Sequence, residues 1–121
     1  MSIFTKISPK HYLFETKLFS IIMDKYPVSE GHLLIISKRK TEDFFTLNQE
    51  EKNELPLLID KCKKIIYNKL SPNGFNIGMN CGEEAGQTIM HFHCHVIPRY
   101  TGDMKKPEGG IRHCIKGKGY Y

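Results

Sequence analysis

The chain has no apolar run near the roughly 18 residues needed to span a bilayer, and its opening stretch lacks the long apolar core of a secretory leader. Both absences lead us to expect a cytoplasmic protein without a membrane partner. Its four cysteines, Cys62, Cys81, Cys94 and Cys114, include no Cys-x-x-Cys pair. That excludes a zinc ribbon and a disulfide framework and fits free thiols in a reducing compartment. There is no internal repeat, and no linker divides the 121 residues, a length that suggests one domain. The formal charge of +5 suits anionic ligands. The lysines have little aromatic interleaving, however, so no nucleic-acid partner is expected.

What is present is a row of histidines. His91-Phe-His93-Cys-His95-Val-Ile-Pro98 places three of the six histidines within five residues. On a strand, alternate side chains share a face, so the three imidazoles would line up about 6.6 Å apart, with Phe92, Cys94 and Val96 turned into the core. The strand is expected over 90–97 and closed by Pro98.

Upstream, 12–15 and 18–24 read as strands, 25–31 as a turn, and 32–37 as a strand buried on both faces and antiparallel to the one before it. Thr41 to Leu47 suits a short helical turn. One long helix is expected over roughly 48–70. Asn48 and Glu51 form a capping box at its start, and Leu55, Leu58, Ile59, Cys62, Ile65 and Ile66 make its apolar stripe. Pro56 should kink this helix or mark its true start. Residues 75–80 suggest a further strand, and 98–121 form a tail rich in Gly, Lys and Pro. The whole reads as an α+β domain with antiparallel strands and one long helix.

Burying three imidazoles merely for packing would leave up to six ring nitrogens in need of partners. Two functional readings follow. The row can ligate a metal, or one histidine can act as a nucleophile on phosphorus, forming a labile phosphoramidate that water resolves. The loop Cys81-Gly-Glu-Glu-Ala-Gly-Gln-Thr88 favours the second. Gly82 and Gly86 let backbone amides approach a ligand, and Gln87 and Thr88 add donors suited to phosphate oxygens. A metal site would want carboxylates or thiolates beside the row, and the only local one, Cys94, points away. Three other residues have two readings each. His32 is either a strand-end histidine bonded to a carbonyl or part of the site. Asp24 is either a turn aspartate or a carboxylate for ribose hydroxyls. Asn80 either bonds locally to backbone or holds a histidine or a phosphate.

The run His91-Phe-His93-Cys-His95-Val-Ile resembles the signature of the histidine triad (HIT) family. Asp24-Lys-Tyr-Pro…Gly31-His32-Leu-Leu-Ile-Ile, Asn80-x-Gly82-x-x-x-Gly86-Gln87-Thr88 and the tail from Pro98-Arg-Tyr to Gly-Gly-Ile-Arg112 are similar to further segments of bacterial members described as diadenosine polyphosphate hydrolases. The resemblance implies a single HIT domain over 1–121 and a homodimer sharing one continuous sheet. It implies hydrolysis at the α-phosphate of a dinucleoside polyphosphate or nucleoside phosphoramidate through a nucleotidyl-histidine. The alternative is a nucleotide-binding regulatory protein whose hydrolysis is incidental. His93 would be the nucleophile and His95 the donor to phosphate or leaving group. His91 and His32 would support them by hydrogen bonding. Gln87, Thr88 and Asn80 would lie at the phosphates, Asp24 at the ribose, and Ile22 and Leu34 beside a purine base. His95 stands where transferase branches carry glutamine, which points to hydrolysis. Many bacterial relatives hold a structural zinc with a Cys-x-x-Cys near the start, a histidine after the buried strand and a triad histidine. Here Ser2, Thr5 and Lys40 stand at those positions, so no structural zinc and no other cofactor are expected. A divalent ion travelling with a polyphosphate substrate is compatible with this reading.

Overall fold

The structure is a computed structural model that describes residues 2–121. Five strands, β1 (Phe14–Glu15), β2 (Phe19–Met23), β3 (Leu33–Ser37), β4 (Gly74–Gly78) and β5 (His93–Arg99), form one sheet in the order β1-β2-β3-β5-β4, every neighbouring pair antiparallel. The single α-helix among the described residues, α1 (Gln49–Tyr67), packs on one face of the sheet. This is the expected α+β architecture. No helix among the described residues is long and apolar enough to cross a membrane.

Alternation along the strands divides the sheet into two faces. On one, Phe19, Ile21, Leu33, Ile35, Cys94 and Val96, with Phe92 just before β5, pack against Leu55, Leu58, Cys62 and Ile66 of α1. On the other, Ile22, Leu34 and Ile36 meet Phe4, Ile7 and Tyr12 of the N-terminal segment. His93 lies opposite Ile36 and His95 opposite Leu34, so both imidazoles belong to this second face.

The helix begins where its cap dictates. The Glu51 N–H donates to the Asn48 side chain at 2.8 Å, and the Asn48 N–H donates back to the Glu51 carboxylate at 2.8 Å. It runs on through Pro56, so that residue is not its start. Glu51, only 1% exposed, is also gripped by the Arg39 guanidinium at 2.7 and 3.2 Å.

Two expectations about the histidine strand need correction. β5 starts at His93, so His91 precedes it rather than completing a row of three along the strand. It also runs through Pro98, which pairs with Phe75 on β4. Pairing with β3 has ended at Val96 by that point, so proline's missing N–H costs no ladder bond on that side. The tail turns at 101–105 and folds back through a short 3-10 turn, Gly110–Cys114.

Candidate active site

The loop between β4 and β5 brings the phosphate-type donors to the exposed end of the histidine strand. Gly82 and Gly86 have φ of 97° and 94°, a region that side chains disfavour, and they bracket the short turn Glu83–Ala85. A cleft of about 550 Å3 opens between this loop, the second sheet face and the N-terminal segment. Ile22, Asp24, Leu34, Asn80, Thr88, His93 and His95 all line it, so seven residues singled out from the sequence meet in one place. Ile3 and Phe4 line it too. The sequence reading missed them, although the apolar Ile3, Phe4 and Ile7 so close to the start were a signal.

His93 and His95 stand with ring centroids 5.3 Å apart. The Nδ1–H of His93 donates to the His91 carbonyl at 2.9 Å, which assigns the ring proton to Nδ1 and leaves Nε2 with its lone pair. His95 has the opposite tautomer. The backbone N–H of Val28 donates to His32 Nδ1 at 3.2 Å, so the proton of neutral His32 sits on Nε2. That proton is donated to His95 Nδ1 at 2.9 Å, which leaves the His95 proton on Nε2. One ring therefore offers a lone pair and its neighbour a proton. His32, 3% exposed, stands behind His95 as its partner.

Burial pushes the pKa of His95 down to about 4, helped by the positive charge that His93 and His32 would carry and opposed by Asp24. Burial likewise lowers His32 against the pull of Asp24. Neutral rings are what the relay requires.

Asp24 is both turn residue and site residue. One carboxylate oxygen accepts the Tyr26 N–H at 2.7 Å. The other lies 3.4 Å from His32 Nε2 and 3.9 Å from His95 Nδ1, facing the cleft. Asn80 lies beside Gly86, where an added Cβ would come within 3.9 Å of its carboxamide nitrogen. Gln87 departs from expectation. It is 3% exposed and turned inward. Its carbonyl oxygen accepts the Gly82 N–H at 2.8 Å, and its amide donates to the carbonyls of Glu42 and Ile89 at 2.7 and 3.1 Å. In this arrangement Gln87 braces the loop, while Thr88 reaches the cleft.

His91 is 1% exposed; its Nε2–H donates to the Ser37 carbonyl at 2.7 Å, and its Nδ1 has no partner among the described residues. Burial lowers its pKa against the Ser37 bond, with the His93 and Lys40 charges pushing the same way as burial. The Phe4 ring meets both His91 and His93 edge-on, at 5.6 and 5.0 Å between centroids.

Two groups bear on metal binding. Asp24, His32 and His95 present ligand atoms within 4.8 Å of one another. A metal there would need a lone pair on His32 Nε2, where the Val28 N–H has placed a proton, so the cluster suits proton relay better than ligation. At the N-terminal corner, Ser2 and Lys40 line one cleft, and Thr5 Oγ1 is spent on the Ser2 carbonyl at 2.7 Å. The unpartnered Nδ1 of His91 is the one zinc-type ligand among these residues; hydroxyls and an ammonium do not fit the site's need for thiolates and imidazoles.

Comparison with known proteins agrees with this geometry. Over 88 residues the chain is 36% identical to the "AP-4-A phosphorylase" of Mycobacterium tuberculosis, covering 72% of this chain and 45% of that protein. Over 93 residues it is 32% identical to the "Bis(5'-nucleosyl)-tetraphosphatase [asymmetrical]" of Schizosaccharomyces pombe, covering 77% of this chain and 51% of that protein. The chain thus spans about half the length of these two relatives. A solved structure of a zinc-bound histidine triad family protein from Mycobacterium smegmatis superposes with a TM-score of 0.72 at 31% identity, covering 82% of this chain and 72% of that one. The description of the HIT domain matches residues 5–102, and the chain belongs to the HIT domain family.

Proposed function

We propose that this protein is a nucleotide hydrolase that cleaves at the α-phosphate through a nucleotidyl-His93 intermediate. The observation that carries the reading is the pair of opposed tautomers: a lone pair on His93 Nε2 and a proton on His95 Nε2, side by side in one cleft. His93 Nε2 attacks phosphorus, the bond to the leaving oxygen or nitrogen breaks, and that atom keeps the electron pair while the His95 Nε2–H donates a hydrogen bond to it. A water molecule then enters and gives up a proton to solvent. The water oxygen bonds to phosphorus, the N–P bond returns its electrons to His93, and a mononucleotide is released. Asp24 Oδ2 accepts ribose hydroxyls, Ile22 and Leu34 flank the base, and Asn80, Thr88 and the loop amides hold the phosphates. The names of the mycobacterial and yeast relatives support a dinucleoside polyphosphate as substrate. His95 at the third position supports water over phosphate as acceptor.

The free thiols support a cytoplasmic setting, and Cys62 and Cys94, pushed by burial up to about 12, are inert there. The unpaired outer edge of β4, with Ile77 43% exposed, supports a homodimer joined edge to edge. Ile77→Lys should convert a sedimentation mass of about twice 14.0 kDa to that of one chain.

The test is turnover of diadenosine tetraphosphate and adenosine 5'-phosphoramidate by native protein and His93→Ala, with and without chelator. Native turnover that survives chelation, falls at least about a thousandfold in the variant and yields an acid-labile adenylyl adduct supports the reading. Activity surviving in His93→Ala would overturn it. Nucleotide binding without turnover would favour a regulatory binding protein.

A further inference from the structure

The turn 25–31, between β2 and β3, carries the Val28 N–H that donates to His32 Nδ1 and so fixes the tautomer passed on to His95. Its surface does little to hold it in place, since Tyr26 and Val28 are 78% and 71% exposed. Most of its hydrogen bonds are local. The Tyr26 N–H donates to the Asp24 carboxylate, and the His32 N–H to the Ser29 carbonyl at 3.3 Å. Exposed connections of this kind are ordinarily the mobile part of a fold.

Among the described residues, two hydrogen bonds tie this turn to anything outside 24–32, and both run to the end of the histidine strand. The Ser29 hydroxyl donates to the Pro98 carbonyl at 2.6 Å, two residues beyond the point where pairing with β3 ends. The Tyr100 hydroxyl donates to the Glu30 carbonyl at 2.6 Å. Burial, with the Glu30 charge, raises the Tyr100 pKa, so the hydroxyl keeps the proton it donates. Tyr100 is itself anchored. Its N–H donates to the Asp103 carboxylate at 2.9 Å, the same carboxylate takes Arg99 at 2.8 Å, and Arg99 reaches Asn76 of β4 at 2.7 Å. Gly31, at φ 90°, lets the turn seat closely: a Cβ there would stand 2.7 Å from Leu70 Cδ1 and 3.4 Å from Pro98 Cγ.

We infer that Ser29 and Tyr100 are positioning residues for the reaction at His93, a clamp that holds the Val28 N–H against His32 and through it keeps a proton on His95 Nε2. Their role rests on the proposed function. Without the clamp the turn drifts and the Val28 N–H leaves His32 Nδ1. Neutral His32 can then carry its proton on Nδ1. The 2.9 Å bond to His95 is made from that state only if His95 donates from its own Nδ1, which strips Nε2 of the proton that faces the leaving group. Asp24, 3.4 Å from His32 Nε2, favours the native tautomer as well, so the loss is partial. Asp24 does not depend on the clamp for its own place, because its N–H donates to the His32 carbonyl at 3.0 Å and continues the β2–β3 ladder. Substrate binding should therefore be spared.

The experiment measures kcat and KM for diadenosine tetraphosphate in native protein, Ser29→Ala, Tyr100→Phe and the double variant, with the ring-nitrogen NMR signals of His32 recorded at neutral pH. Each change removes one hydroxyl from a half-buried side chain. The double variant should lose about tenfold in kcat with KM within about twofold. Its His32 proton should be divided between Nδ1 and Nε2, whereas native protein should hold it on Nε2. The single variants should each lose about threefold, which carries the test if the double variant does not fold. Ser29→Thr restores the hydroxyl and should rescue kcat. A native-like His32 spectrum, an unchanged kcat, or a rise in KM alone in the folded variants would overturn the clamp. Native protein without turnover would overturn the proposed function, while the His32 spectra would still decide the clamp.

Discussion

His32 Nε2 lies 2.9 Å from His95 Nδ1, and the Val28 backbone N–H closes the far side of His32 at 3.2 Å. A main-chain amide therefore decides, through one imidazole, which nitrogen of the next carries a proton. His32 touches no substrate in this scheme; it is a positioning residue. His32→Ala should lower kcat about ten- to a hundredfold with KM within about twofold. An unchanged kcat in a folded variant would count against the relay.

Acid should weaken the fold through the same imidazoles. At neutral pH His95 is uncharged in both folded and unfolded chains. As pH falls below 6.5 the unfolded chain takes up the proton, while the folded one resists until about 4, so stability is lost across that window. His32 and His91 act in the same direction. Between pH 7 and 4.5, urea denaturation should show the native chain losing roughly 2 kcal/mol more than His95→Gln. Equal losses would remove His95 as a source of acid sensitivity.

Glu51 is the buried charge on which the helix start depends. Burial alone would raise its pKa, but the Arg39 guanidinium and the Asn48 N–H outweigh that and lower it. Arg39→Ala should cost about 2 kcal/mol in chemical denaturation, with kcat per folded molecule unchanged. A cost below about 0.5 kcal/mol would show that Asn48 alone keeps the carboxylate content.

The N-terminal corner offers a gain-of-function test. Native protein dialysed against zinc should retain far less than one ion per chain. The triple variant Ser2→Cys/Thr5→Cys/Lys40→His would supply three more ligands near the unpartnered His91 Nδ1 and should retain about one, with a raised Tm. Stoichiometric zinc in the native protein would refute the absence of a structural site.

Much of this was legible from local pattern. The capping box fixed the helix start within a residue, and period-two alternation put Cys94 and Val96 in the core and His93 and His95 on the open face. Errors arose where a partner distant in sequence decides the outcome. His91 looks identical to its neighbours in the triad, yet the Ser37 carbonyl holds it behind the strand. Gln87 looks like a phosphate donor, but its partners include the Glu42 carbonyl, far upstream. Pro98 looks like a strand terminator until one knows that β3 stops short of it. The tail, without periodicity, gave no hint that its isoleucines would wall a cavity beside His95.

The inward turn of Gln87 has a kinetic meaning. By joining Gly82, Glu42 and Ile89, its amide braces the loop in one shape before any ligand arrives. Binding then orders the ligand alone, and little conformational entropy is lost from the protein. Association should accordingly be a single fast step governed by diffusion and charge, without a slow phase of loop closure.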